Sequence, residues 1–273
     1  MIKIGITGST GVLGKSLIKY IKKYSKYEII KFRGNILNKK KIEVWIKKNQ
    51  FEVIIHLAAL VPTNISQNNY NLAKNINLIG TKNLINAIKY YQLKKTFLFF
   101  SSTSHVYLFT KKKINEKFQT KGISKYGKTK LLAERLLLKN ANFYNLCIGR
   151  ISSLVSEKQS TNFIISKIMK KIKKNKKIIF ENSNIKRNFI YVDDVSKIIV
   201  KIIKKKITGI VNISNSQQTH FYKFFNYLIS KFNISIEHKM GKEEFLILSN
   251  KLLEKKIGKI KFLTIEKIIN KFN

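Results

Sequence analysis

Residues 2–14 read Ile2-Lys3-Ile4-Gly5-Ile6-Thr7-Gly8-Ser9-Thr10-Gly11-Val12-Leu13-Gly14. A short apolar strand, 2–7, runs directly into three glycines spaced Gly8-x-x-Gly11-x-x-Gly14. Apolar residues then recur at helical spacing through residue 23, at Val12, Leu13, Leu17, Ile18 and Ile21. Glycine permits backbone conformations that a side chain resists. It also lets a pyrophosphate approach the backbone where a helix N-terminus presents unpaired N–H groups. A glycine triplet alone reads equally as a tight turn. Its place at the first strand-to-helix junction points instead to a dinucleotide cradle formed by Gly8, Thr10, Gly11, Val12, Leu13 and Gly14.

The same strand–helix rhythm continues outward from this loop. Strands are predicted at Glu28 to Phe32, Val53 to Leu57, Thr96 to Ser101 and Leu146 to Ile151. Helices are predicted at 40–49, 70–91 and 124–139, and a loop containing Pro62 follows the third strand. Alternation of this kind predicts an α/β fold, a doubly wound parallel sheet with helices on both faces. After residue 151 the rhythm loosens. Helices are expected at 161–175, 194–206, 219–232 and 262–272, with one strand around Ile210 to Ile213. No linker rich in glycine, proline or serine intervenes. The expected organisation is a nucleotide-binding domain at 1–150 and a smaller C-terminal substrate-binding lobe at 151–273, partly interleaved with it.

The formal net charge is +41, from 55 basic and 14 acidic residues. Such a charge raises the possibility of a nucleic acid, another polyanion or an anionic membrane as partner. The lysines are spread along the whole chain, however, and the arginines are few: Arg33, Arg135, Arg150 and Arg187. Readers of phosphate usually rely on the arginine fork. The charge therefore reads as compositional drift, and no specific nucleic-acid or membrane partner is expected. Against that background, a residue that stays arginine or aspartate stands out; the only aspartates are Asp193 and Asp194. The single cysteine, Cys147, excludes an internal disulfide and fits a reducing, cytoplasmic setting. No leader pattern and no apolar run of membrane-spanning length is read, and no metal site is expected.

Chemistry concentrates in two further stretches. Tyr126-Gly127-Lys128-Thr129-Lys130 places Tyr126 and Lys130 one helical turn apart on a shared face. A nearby ammonium favours the phenolate, which makes Tyr126 a candidate general acid or base. Lys130 is expected to hold the cofactor ribose as well. Upstream, Ser101-Ser102-Thr103-Ser104-His105 follows a buried strand, at the strand end where parallel sheets bind ligands. Thr103 is the candidate partner of the substrate oxygen opposite Tyr126; Ser104 and His105 are candidates for the substrate wall. The second strand ends Phe32-Arg33-Gly34-Asn35-Ile36, with no carboxylate for an adenosine ribose. Arg33 there suits a 2′-phosphate, so NADP is favoured slightly over NAD, and Asn35 and Ile36 are expected to border the adenine.

These motifs, in this order, resemble those of the extended short-chain dehydrogenase/reductases, within the NAD-dependent epimerase/dehydratase family. Val53-Ile54-Ile55-His56-Leu57-Ala58-Ala59 resembles the family's third-strand motif, which implies that Leu57, Ala58 and Ala59 border the cofactor. Asn77-Leu78-Ile79-Gly80-Thr81 resembles its Asn-x-x-Gly-Thr helix and adds Asn77. Arg187-Asn188-Phe189-Ile190-Tyr191-Val192-Asp193-Asp194 resembles the substrate-lobe signature, which implies that Arg187 contacts a nucleotide diphosphate. Asp194 is expected to cap the helix that follows. Sugar 4,6-dehydratases of the family carry Thr-Asp-Glu where this chain has Thr103-Ser104-His105. The resemblance therefore implies a nucleotide-sugar 4-epimerase or 4-keto-reductase using NAD(P), with a homodimer as the expected assembly. The competing expectation is a dehydrogenase-like protein that binds RNA or another polyanion without turnover.

Overall fold

The computed structural model describes residues 2–61, 69–92 and 95–272; the predicted loop at Pro62 lies outside them. Its centre is a six-stranded, all-parallel sheet. In chain order the strands are β1 (Lys3–Thr7), β2 (Glu28–Lys31), β3 (Val53–His56), β4 (Thr96–Thr103), β5 (Tyr144–Ile151) and, much later, β10 (Gly209–Ile213). Their spatial order is β10-β5-β4-β3-β1-β2. The chain leaves β1 for β2 on one side and returns to β3 on the other. This reversal opens a crevice at the carboxyl ends of β1 and β3, where doubly wound sheets bind ligands.

Strands buried on both faces read as unbroken apolar runs, yet their side chains still alternate. Phe97 and Phe99 of β4 join one core with Val53 and Ile55 of β3. Leu98 and Phe100 join the opposite core with Ile54. The first core is covered by α1 (Val12–Tyr24) and by α7 (Val192–Lys204), which pack on each other. The second is covered by α2 (Lys39–Asn49), α4 (Gly80–Tyr91) and α5 (Lys125–Lys139). The predicted single helix at 70–91 is broken in its geometry: α3 (Tyr70–Lys74) passes through a π-helical turn, Asn75–Ile79, into α4. Such turns insert a residue into the helix and often mark functional positions.

The second half of the chain contributes both β10 and α7 to the first, so no clean cut falls at residue 150. Its own core gathers α6 (Ile164–Lys173), α8 (Phe221–Phe232) and α10 (Ile265–Ile269). Short strands link them: β6 (Ser153–Val155) with β9 (Phe189–Tyr191), β7 (Ile178–Phe180) with β12 (Ile236–His238), and β8 (Ile185–Arg187) between β11 (Thr219–His220) and β13 (Glu244–Leu246). α9 (Lys251–Ile257) packs back under β10. Leu13, in the first turn of α1, touches the cores of both halves. The expectation that Asp194 caps α7 is corrected here: the helix starts at Val192 with no side-chain cap. Asp194 instead accepts the Leu263 N–H at 3.2 Å and ties down the C-terminal segment.

The glycine turn is sterically enforced. Gly8 has φ +70°, and a Cβ there would stand 2.5 Å from the Ala58 nitrogen. A Cβ on Gly14 would stand 2.4 Å from the Gly8 carbonyl oxygen. At Gly11 the nearest atom is 3.4 Å away, at ordinary contact distance. Overpacking costs about 1–3 kcal/mol, and each kcal/mol is worth roughly 2–4 °C in a chain of this size. Gly14→Ala is therefore expected to lower the melting temperature by roughly 2–12 °C, and Gly11→Ala by less than about 2 °C. Equal melting temperatures for the two variants would contradict this steric assignment.

Candidate active site

The crevice is floored by a buried polar relay. Thr7 Oγ1 lies 2.6 Å from His56 Nδ1, and His56 Nε2 lies 3.0 Å from Thr81 Oγ1. Thr81 donates its own proton to the Asn77 carbonyl at 2.7 Å. It therefore accepts from Nε2–H, which leaves Nδ1 to accept from Thr7. Burial, and then the nearby Lys130, push His56 down to about 3, so the ring is neutral. The Ala58 N–H closes the relay on Thr7 Oγ1 at 3.3 Å. Leu57, Ala58 and Ala59 thus form one half-buried wall of the crevice, and the Gly8–Gly14 turn forms the other.

Gly8 and Gly14 are glycine because the fold leaves no room; Gly11 is not. Thr10 and Gly11 are exposed at the mouth of α1. Gly11 is the N-cap, makes no side-chain cap, and the first turn carries no acidic residue. Space over the backbone, uncapped N–H groups and a helix dipole together fit a pyrophosphate.

Three expected cofactor residues have side chains engaged within the fold. Asn77 spends its amide internally: Oδ1 accepts from Leu60 N at 2.7 Å, and Nδ2 donates to the Leu60 carbonyl and to Thr129 Oγ1 at 2.9 Å. It braces the crevice wall against α5 and offers no free polar atom. Ile36 is buried, with its side chain packed against Gly80. Asn35 uses Oδ1 to hold the turn through the Leu37 N–H. Arg33 is exposed and makes no hydrogen bond or ion pair among the described residues. It borders an open hollow of about 420 Å³ together with Lys31, Lys40, Lys41 and Lys48, and no acidic side chain lines it.

Tyr126 and Lys130 stand on α5, both buried. Ser124 caps the helix by accepting the Gly127 N–H at 3.0 Å. A Cβ on Gly127 would fall 2.2 Å from the His105 carbonyl oxygen, so only glycine lets α5 press against the turn after β4. That contact brings the Tyr126 phenol close to the Thr103 hydroxyl. Burial pushes the Tyr126 phenol well above its ordinary value, and the neighbouring Thr103 hydroxyl opposes the rise. Burial lowers Lys130 to about 7, against the pull of Glu134. The Lys130 ammonium rests 3.8 Å from the Phe100 ring centroid, and no hydrogen-bond acceptor is found for it among the described residues.

His105 stands edge-on to Tyr126, ring centroids 6.3 Å apart, with Nδ1 3.1 Å from Ser124 Oγ. Burial, then the Arg187 charge, lower it to about 4, so it is a neutral wall residue near pH 7. Ser104 is buried beside it. Arg187 stands over Phe109 at 5.2 Å, and Glu244 grips it through both its carbonyl and its carboxylate. Ser102 faces away from Thr103 and gives its hydroxyl to Glu134. Among the described residues no cluster of His, Cys, Asp or Glu is placed to hold a metal, and no helix is long and apolar enough to cross a membrane.

A glycine cradle at the switch point of a parallel sheet, with a buried Tyr–Lys pair facing it, defines a Rossmann-type protein of the short-chain dehydrogenase kind. Residues 4–214 match the model of the NAD dependent epimerase/dehydratase family, and the chain belongs to that family. It is 28% identical over 234 residues to GDP-6-deoxy-D-talose 4-dehydrogenase of Aggregatibacter actinomycetemcomitans, covering 83% of this chain and 79% of that one. Its fold superposes on RMD from Pseudomonas aeruginosa complexed with NADPH, with TM-score 0.89, 18% identity, and coverage of 100% and 96% of the two chains. It likewise matches UDP-glucuronic acid 4-epimerase from Bacillus cereus in complex with UDP-glucuronic acid and NAD, with TM-score 0.85, 19% identity and 99% coverage of each chain.

Sequence reasoning passed over Gly127, Thr129 and Glu134. Glu134 carried a readable signal, being one of the few acidic residues and one helical turn from Lys130. Gly127 carried none, because its reason is a contact with a distant turn. Gly11→Val is expected to keep the far-ultraviolet spectrum and melting temperature of the parent and to lose NAD(P) binding, measured by quenching of intrinsic fluorescence. Retained affinity in the folded variant contradicts the cradle.

Proposed function

We propose that this protein is an NAD(P)-dependent enzyme that oxidises a carbinol or reduces a ketone of a nucleotide-activated sugar, as a 4-epimerase or a 4-keto-reductase. The observation that carries the proposal is the burial of Tyr126 beside Thr103, with a buried lysine one turn along that has no acceptor among the described residues. When bound, the nicotinamide takes or supplies the hydride. Tyr126 moves the hydroxyl proton of the sugar, and Thr103 orients the same oxygen. Lys130 holds the cofactor ribose and adds positive charge near the phenol. The Gly8–Gly14 cradle holds the pyrophosphate, bordered by Leu57, Ala58 and Ala59. Ser104 and His105 line the sugar site, and Arg187 exchanges part of its grip on Glu244 for the substrate diphosphate. A neutral His105 beside Ser104 supplies no carboxylate pair, which argues against dehydration.

Binding of RNA or another polyanion without turnover is the competing reading. It gives no reason to bury Lys130, since an isolated buried charge is costly, and phosphate contact needs exposed cations. Among those, Arg33 and its hollow support NADP over NAD.

Tyr126→Phe removes one oxygen and is expected to cut turnover ~100- to 10,000-fold while cofactor binding persists. Near parental turnover of a confirmed nucleotide sugar by this variant overturns the mechanism. Thr103→Ala is expected to lose less, because the hydroxyl of the adjacent Ser104 can partly substitute, that of Ser102 being held by Glu134. Arg33→Ala is expected to weaken NADPH and spare NADH; equal affinities of the parent for both contradict the role of Arg33.

The lysine makes a separate prediction. In the free protein Lys130 titrates near about 7, below its ordinary 10.5. A bound anionic cofactor raises it. Binding above pH 7 therefore takes up a proton, and affinity falls as pH rises. Calorimetry in two buffers of different ionisation enthalpy is expected to show this uptake, and Lys130→Met to abolish it. Absence of uptake in the parent overturns the assignment.

A further inference from the structure

The reactive face of α5 depends on a charged group beneath it. Glu134 lies one helical turn beyond Lys130, on the same side of the helix, and its side chain is 1% exposed. Its carboxylate has three fixed contacts. Ser102 donates to Oε1. Arg150 Nε bridges both oxygens at 3.2 Å, and Arg150 Nη2 reaches Oε2 at 2.7 Å. Ser102 and Arg150 sit opposite each other in the β4–β5 register, so the sheet presents both at one level under the helix. Arg150 is fixed in turn by the Tyr107 hydroxyl at 2.9 Å and the Glu116 carbonyl at 3.2 Å.

We propose that Glu134 is the buried counter-charge that positions Lys130, and that Arg150 and Ser102 hold its carboxylate for that task. This rests on the reading that Lys130 binds the cofactor. The groups facing Lys130 are few. His56 comes from β3 and is neutral. Tyr126, on α5 itself, is held protonated. Glu134 supplies the carboxylate, which is itself paired with Arg150. A buried ammonium without an acceptor is unfavourable unless a counter-charge stands near, and Glu134 opposes the effect of burial on Lys130. The Ser102 contact adds a mechanical link. Ser102 immediately precedes Thr103, so one carboxylate ties the strand carrying Thr103 to the helix carrying Tyr126 and Lys130.

Glu134→Gln keeps the shape and removes the charge. It also strands a buried guanidinium, so Glu134→Gln/Arg150→Met is made alongside it to give a folded, uncharged pair. Glu134→Asp keeps the charge, and Lys130→Met is the reference. NADPH binding is followed by fluorescence between about pH 6 and 9, with melting curves for each protein. The proposal expects folded Glu134→Gln, or the double variant, to lose binding at a pH lower by about one to three units, and Glu134→Asp to restore most of the parental limit. A folded double variant with the parental pH dependence, while Lys130→Met is impaired, overturns this proposal alone and leaves a merely structural ion pair. Parental binding by Lys130→Met overturns the role of Lys130, and this proposal with it.

Discussion

The backbone of Gly8 lies so close to that of Leu57 and Ala58 that the two crevice walls are effectively one surface. Everything at the carboxyl edge of the sheet is measured from that contact. It fixes where β1 and β3 end. It seats Gly14 against the Gly8 carbonyl, which sets the direction in which α1 departs. The Thr7–His56–Thr81 relay then carries the same reference across β3 to the π-helical turn. From there Asn77 carries it to Thr129 on α5. The cradle and the Tyr126–Lys130 helix, far apart in sequence, are joined by an unbroken run of short polar contacts. A neutral histidine serves here because it accepts on one side and donates on the other; a charged one would stand beside Lys130 without a counter-ion.

Burial divides the labour of the charged groups. Most lysines are solvated and cost the fold little. Lys130 differs: it is kept from water, rests over the Phe100 ring and has no hydrogen-bond acceptor among the described residues. Such a group pre-organises a site, because its cost is met during folding and is recovered when an acceptor arrives. Tyr126 is arranged in the same sense. Burial pushes the phenol well above its ordinary value and holds it protonated in the free protein.

The sequence made legible whatever rests on local pattern. The parallel sheet followed from apolar runs alternating with helical periodicity, and the cradle from the position of three glycines. The Tyr126–Lys130 pair was readable from helical spacing. Whatever depends on contact across the fold was not. Ile36 reads as a residue bordering an adenine, and its packing against Gly80, a contact across the fold, had no local signal. The bonds of the Asn77 amide to Leu60 and Thr129 likewise had no local signal. Asp194 has the position of a cap, yet the helix begins two residues earlier and the carboxylate serves Leu263. The small strands of the second lobe, three residues or fewer each, are too short for any periodicity to register.

The arginines test how far rarity can be used in a lysine-rich chain. Arg150 and Arg187 are each gripped by a glutamate at a buried or half-buried position and make three or more directed bonds. A lysine ammonium cannot reproduce a planar fork, so the fold itself explains these two. Nothing in the structure explains Arg135, which is exposed on α5. Arg33 differs from all three. It is exposed, bonded to nothing among the described residues, and surrounded by lysines in a hollow at the end of β2. A cation held among cations is unfavourable unless an anion visits. Among the described residues, nothing inside the fold explains why this position is arginine.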